Sequence, residues 1–171
     1  MNLKEHLKSR NLNVGLYSGV SFDHEDGVVV FPLWNLSGQL VGYQNYRPGA
    51  DKKRKNHPRE GRYYTFKGVQ YPSAVWGLES YNYRDDVLVL VEGVFDACRL
   101  HNYGVPCVAV LASDTKLLRN WLTCTGRKVY KVDDDHASNL GRYENLDLPE
   151  GRSDLGECES YEVQQMLEGL L

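Results

Sequence analysis

Cysteine and methionine are scarce in this 171-residue chain, at four and two residues. Cys98, Cys107, Cys124 and Cys158 are widely spaced, and none forms a C-x-x-C pair. That pattern argues against a zinc site and against a disulfide framework. Cys98 and Cys107 lie in apolar surroundings and read as small core residues. Long apolar runs are also missing. No stretch approaches the roughly 20 apolar residues that a membrane span needs. The N-terminal MNLKEHLKSRN carries no apolar run of the signal-peptide kind. The expectation is a soluble, cytoplasmic protein with no membrane partner. A dominant charge is absent too: the formal net charge of -3 is too small to name a partner. There is no internal repeat and no low-complexity segment.

What is present is ordinary in amount and uneven in distribution. Hydrophobic residues make up 42% and charged residues 25%, which permits a real core in one domain, or one domain with a small appended subdomain. Basic residues crowd the stretch from Arg47 to Lys67, and acidic residues the stretch from Asp133 to Glu159. The first zone suits a polyanion and the second suits cations.

Periodicity places the elements. Residues 3–9 predict a short helix with Leu3 and Leu7 on one face. GVVVFPLW (27–34), the NLSG turn (35–38) and QLVGYQNY (39–46) predict an antiparallel hairpin. Residues 47–61, rich in charge with two prolines and two glycines, read as a mobile loop, and RYYTFKG (62–68) as a further strand. From Asp86 the texture changes. VLVLV (87–91) is the continuous apolar run of a strand covered on both faces. A helix over 94–104 follows, then a strand over 105–111, a helix over 115–122 and a strand over 128–132. Strand and helix in alternation predict a parallel sheet with right-handed crossovers. Residues 160–171 predict a terminal helix capped by Ser160, with Val163, Met166, Leu167 and Leu170 as its stripe.

Sites in open parallel sheets form at the carboxyl ends of the strands. Glu92 directly follows strand 87–91 and Asp133 directly follows strand 128–132, so both acids emerge at one edge of one sheet. Asp133 and Asp135 alternate along the chain and can converge on one cation. Carboxylates without His or Cys partners fit Mg²⁺ or Mn²⁺ better than Zn²⁺. Read singly, Asp133–Asp135 is a solvated turn and Glu92 an acid before a helix. Read together, they form a site. Asp96 lies one helical turn past Glu92 and faces either the same site or solvent.

These residues resemble a known family. VLVLVEGVFDACRL (87–100) is similar to the first motif of a TOPRIM domain, and KVDDDHAS (131–138) to its Asp-x-Asp motif. FPLWNLSGQLVGYQNYR (31–47), and RYYTFKG (62–68) with VWGL (75–78), resemble in order the catalytic core of DnaG-type bacterial and phage DNA primases. LPEGRSDLGE (148–157) resembles the segment with the third acidic position, at Asp154 and Glu157. Departures are Ser138 and Ala112–Ser113 where the family has Gly and Gly-Thr. The stretch between Asp135 and Asp154 is also short, where the family fits a helix and a further strand.

The resemblance implies an α/β fold: a TOPRIM-like parallel sheet flanked by helices (86–171), preceded by a basic subdomain (1–85) built on an antiparallel β-hairpin. It implies primer synthesis from ribonucleoside triphosphates on a single-stranded DNA template, with Mg²⁺ or Mn²⁺ held by Glu92, Asp133 and Asp135, and further by Asp154 and Glu157. Arg47 and Lys67 match basic positions of the primase core. Lys52, Lys53, Arg54, Lys55 and Arg62 add phosphate affinity through counterion release. Tyr43, Tyr46, Tyr63, Tyr64 and Phe66 are expected mostly in core or cross-strand pairs, and His136 as a loop histidine. The sequence shows no zinc-binding or helicase domain. It therefore reads as a small phage-encoded or accessory primase in the host cytoplasm, served by a separate replicative helicase and weakly selective for template. Two other readings stay open: a TOPRIM nuclease, and a non-catalytic single-strand-binding replication accessory protein.

Overall fold

A computed structural model describes residues 2–52, 57–70, 73–82, 84–111, 115–132 and 140–170. Helix α1 (Leu3–Ser9) opens on Asn2, whose side chain accepts from the Lys4 amide at 3.1 Å. It buries Leu3 and Leu7. The chain then builds a four-stranded antiparallel sheet in the order β1 (Ser21–Asp23), β2 (Val28–Trp34), β3 (Leu40–Tyr46), β4 (Tyr63–Lys67). The predicted hairpin is thus the centre of a larger sheet. Strand β1 escapes sequence reading because it is three residues long and mostly exposed.

Register sorts the strand residues. Val29 pairs with Tyr46, Phe31 with Gln44 and Leu33 with Gly42, so these side chains share one face. All but Gly42 on that face are buried. A Cβ on Gly42 would lie 2.2 Å from the Phe66 carbonyl oxygen, so only glycine lets β4 come this close. The 47–61 segment is tied at its base. The Arg47 amide donates to the Arg62 carbonyl at 2.8 Å, and the Arg62 amide to Asp51 at 2.9 Å.

The second sheet is parallel, in the order β6 (Cys107–Ala109), β5 (Val87–Val91), β7 (Lys128–Lys131), β8 (Glu144–Asn145). Strand β8 supplies the further strand expected to be trimmed away, reduced to two residues. Helix α2 (Val94–His101) connects β5 to β6, and α3 (Thr115–Cys124) connects β6 to β7. Alternation along β5 feeds two cores. Val89 and Val91 pack with α2 and the antiparallel sheet, while Leu88 and Leu90 pack with Leu118 and Leu122 of α3. The first core runs without a break from Leu7 and Phe31 to Val89 and Val163. Two short bridges stitch the sheets together, Trp34 with Val75 and Trp76 with Ala109.

Helix α4 (Ser160–Leu167) ends earlier than its stripe predicts, and its cap is Glu159 rather than Ser160. The Glu159 side chain accepts from the backbone of Glu162, and Glu162 accepts from the Glu159 amide at 2.6 Å. Cys98 and Cys107 are buried, as expected; burial lifts the Cys98 thiol to about 12. His101 is buried. Its Nδ1 lies 2.7 Å from the Tyr17 hydroxyl and its Nε2 2.7 Å from the Cys107 carbonyl. The carbonyl can only accept, so Nε2 carries the proton and Tyr17 donates to Nδ1. No helix among the described residues is long and apolar enough to cross a membrane.

Candidate active site

Strand β5 lies between β6 and β7, so the chain leaves it first to one side and later to the other. That reversal is where open parallel sheets bind ligands, at the carboxyl ends of the strands. A cleft of about 440 Å³ lies there. One side is formed by Glu92, Gly93, Phe95 and Asp96 from the β5–α2 turn, with Arg99, Asp154 and Gly156. The other is formed by Ser9, Arg10 and Asn11 after α1 and by Gln44, Tyr63 and Thr65 of the antiparallel sheet.

Glu92 is exposed in the cleft, as its place after β5 predicts. Its carbonyl accepts from the Leu111 amide at 3.0 Å. Leu111 itself takes a left-handed φ of 49°, a strained conformation for a leucine, at the end of β6. Asp96 turns back toward the start of α2: a Cβ on Gly93 would lie 3.1 Å from its Oδ2. Negative charge is favoured there by the unpaired amides of the first turn. Strand β7 lies beside β5, with the Val132 amide on the Leu90 carbonyl at 3.0 Å. Asp133 and Asp135 lie outside the described residues, as do Lys53, Arg54, Lys55 and His136.

Asp154 caps a short 3-10 turn, Leu155–Glu157, whose last residue is Glu157. Asp154 lines the cleft, whereas Glu157 does not. Asp154 Oδ1 accepts from the Glu157 amide at 3.0 Å, and Glu157 Oε2 accepts from the Ser153 amide at 2.9 Å. The hydrogen bond from Ser153 holds the Glu157 carboxyl below its ordinary range. Arg99 projects from α2 to this turn and donates to the Cys158 carbonyl. It is only 9% exposed, and its Nε has no partner.

The opposite wall is cationic and aromatic. The Arg10 guanidinium sits 4.1 Å from the Phe95 ring centre and donates to the Tyr46 hydroxyl at 3.4 Å. Tyr46 is also 2.8 Å from His6 Nε2, and burial together with the Arg10 charge pushes the His6 pKa down. Gln44 donates to the Thr65 hydroxyl at 2.8 Å. Sequence reasoning missed Arg10, Gln44, Thr65 and Arg99. Only Arg99 left a signal, as a charge between Cys98 and Leu100, both of which are buried.

The predicted basic residues separate. Lys67 follows Thr65 by two positions on β4 and shares its face, about 7 Å farther along the strand. Arg47 and Arg62 sit beyond the other end of the β3–β4 pair, roughly 17 Å from Lys67 along β4. Arg47 donates to the Asp26 carbonyl at 3.4 Å and lines a different recess; Arg62 donates to the Ala50 carbonyl at 3.1 Å. One phosphate cannot be shared by Arg47 and Lys67. Lys52 is exposed. Of the five aromatics expected mostly in the core, only Tyr46 is buried; Tyr63 and Phe66 are exposed, and Tyr63 lines the cleft. Tyr43 stacks on Phe66 at 5.4 Å and lies 6.3 Å from Tyr64, as cross-strand neighbours on the far face.

Among the described residues, no three His, Cys, Asp or Glu side chains are grouped closely enough to hold a metal ion. The candidate donors in the cleft, Glu92, Asp96 and Asp154, are all carboxylates, the chemistry of a hard, oxygen-preferring cation.

No family model matches the sequence, and no curated protein matches it by sequence alone. Solved structures do match by fold. The Aquifex aeolicus primase, zinc-binding and RNA polymerase domains, aligns with a TM-score of 0.62 at 23% identity, over 97% of this chain and 45% of that one. A DnaG primase catalytic domain bound to single-stranded DNA aligns at 0.60 and 16%, over 96% and 60%. The primase fragment of the bacteriophage T7 primase-helicase aligns at 0.58 and 15%, over 82% and 62%. The chain spans about half to three fifths of the length of these structures, and it shares its fold with primase catalytic cores.

Proposed function

We propose that this chain is a DNA primase catalytic core, joining ribonucleotides into short RNA primers on single-stranded DNA by metal-dependent nucleotidyl transfer. The observation that carries this reading is one cleft with carboxylates at the carboxyl end of β5 on one wall and Arg10 on the other, on a fold shared with primase cores. In this reading residues 86–171 form a TOPRIM domain and residues 1–85 the basic subdomain.

Glu92, Asp133 and Asp135 would hold Mg²⁺ or Mn²⁺. The ion, when bound, neutralises phosphate charge and activates the attacking oxygen. Glu92 serves as a ligand or takes the proton of the primer 3′-hydroxyl. Arg10, held over Phe95, presents a planar donor fork to the triphosphate. Lys67, on the cleft-facing side of β4, adds charge farther along. Lys52, Lys53, Arg54 and Lys55 hold the template backbone through salt-sensitive contacts. Arg47 and Arg62 serve that strand at the far end of the sheet. The T7 structure is a fragment of a primase-helicase, which supports a replicative helicase as the partner that delivers the template.

The test is primer synthesis. The purified chain is incubated with single-stranded DNA, labelled ribonucleoside triphosphates and Mg²⁺ or Mn²⁺. Labelled oligoribonucleotides that vanish with EDTA and in Asp133→Ala are expected. Shortened template would identify a nuclease instead. DNA binding that survives chelation, with no product even when candidate helicases are added, would identify a binding protein.

A further inference from the structure

We infer that the Asp154–Glu157 turn holds no metal ion and that Arg99 is the resident cation of that wall. In the proposed reading the divalent ion is then left to Glu92, Asp133 and Asp135 alone. The inference rests on the proposed reading of those three acids.

Three observations carry it. First, each acid of the turn has an oxygen committed to backbone, Asp154 Oδ1 to the Glu157 amide and Glu157 Oε2 to the Ser153 amide. These are the bonds of a capped turn, the ordinary use of such side chains at the start of a helical segment. Second, Glu157 does not reach the cleft, so the two carboxylates do not converge there. Third, a guanidinium that is nine-tenths buried lies against the same turn. Arg99 donates to the Cys158 carbonyl, lines the cleft beside Asp96 and Asp154, and keeps an unpartnered Nε. A buried cation is costly unless nearby negative charge offsets it. Asp96 and Asp154 line the cleft with Arg99, and a divalent ion placed on that wall would be repelled by the same guanidinium. Arg99 is therefore a positioning residue: it fixes the turn and sets the charge of the wall without touching substrate.

Amide variants separate cap from ligand, because Asn and Gln keep a carbonyl oxygen for the cap and lose the charge. The full chain is titrated with Mn²⁺ alone, and unbound Mn²⁺ is read from its paramagnetic resonance signal. One ion per chain is expected for the wild type. Asp154→Asn and Glu157→Gln should keep that count, with affinity changed less than about twofold. Arg99→Met, or Arg99→Gln as a second neutral variant, should bind Mn²⁺ about fivefold tighter, since a nearby positive charge is gone. Arg99→Lys should keep the wild-type affinity. A purely structural Arg99 predicts weaker binding in the neutral variants, and that result overturns its assigned role. A second wild-type ion that either amide variant loses, or a weakening of about tenfold in those variants, overturns the single-site inference. No bound ion in the wild type overturns the metal reading of the cleft itself, a result distinct from either.

Discussion

Replacing Trp76 tests whether the two sheets share one core. Trp76 is fully buried where the sheets meet, and it exchanges both backbone hydrogen bonds with Ala109 of the parallel sheet, at 3.0 and 2.9 Å. Its ring lies 4.8 Å from Tyr17, 5.5 Å from Phe31 and 5.5 Å from His101. Trp76→Ala removes a large ring from a fully buried site walled by Tyr17, Phe31 and His101, so about 3–5 kcal/mol should be lost. For a chain of this size each kcal/mol moves Tm by roughly 2–4 °C, giving a fall of roughly 6–20 °C. Trp76→Phe should behave differently. The indole Nε1 is buried without a partner, a state that costs about 1–3 kcal/mol. Phenylalanine removes that donor while leaving a smaller void, and the two effects should cancel to within about 1.5 kcal/mol. Urea unfolding followed by far-ultraviolet circular dichroism measures both. The wild type should unfold in one transition, and Trp76→Ala should shift the whole of it. A second transition that stays in place, or a loss below about 1.5 kcal/mol, would refute the shared core.

Three further outcomes follow from the same geometry. Arg10→Gln should raise KM for ribonucleoside triphosphate about tenfold in primer synthesis while changing kcat less, because a charge-assisted contact is lost; an unchanged KM would remove Arg10 from the site. Gly42→Ala drives a methyl into the Phe66 carbonyl and should cost about 1–3 kcal/mol. Unfolding midpoints measure that cost, and a neutral result would mean that β4 does not lie this close. Burial lowers the His101 pKa in the fold, whereas the unfolded chain protonates near 6.5. The unfolded state therefore binds more protons below that pH, and stability should be complete above about pH 6.5 and fall as pH drops below it. Urea midpoints at pH 7.5 and 5.5 check the sign, and a midpoint that rises on acidification contradicts it.

Strands β5 and β6 of the parallel sheet were readable because they are buried on both faces and leave continuous apolar runs. Val87–Val91 coincides with the predicted strand residue for residue. The acid after it inherits a position from topology alone, which is why Glu92 could be placed in a cleft without any contact being known. Short elements were not readable. Strands β1 and β8 have three and two residues, too few for a period to register. The helix cap moved by one residue because a glutamate performs it through a reciprocal bond, an arrangement that local preference for serine hides. The basic residues were grouped by their density in the chain, but a strand pair separates them: Lys67 and Arg62 lie at opposite ends of β4.

The two walls of the cleft are legible to different degrees for a physical reason. Most of the acidic wall is local, since Glu92, Gly93, Phe95 and Asp96 follow one strand within five residues and need only that strand's direction, and only Asp154 brings an acid to it from a distant segment. The cationic wall is assembled from distant segments. Arg10 follows a seven-residue helix and reaches both Phe95 on the acidic side and Tyr46 at the end of β3, so its contacts exist only once both sheets have packed. Nothing in the local pattern around Arg10 distinguishes it from Lys4 or Lys8. Only its landing on a ring from the other half does so. An assembled wall is also the more fragile one. Loosening the contact between the sheets should displace Arg10 relative to Glu92 before it unfolds either sheet, so substrate affinity should respond to core substitutions such as Trp76→Phe that leave global stability almost unchanged.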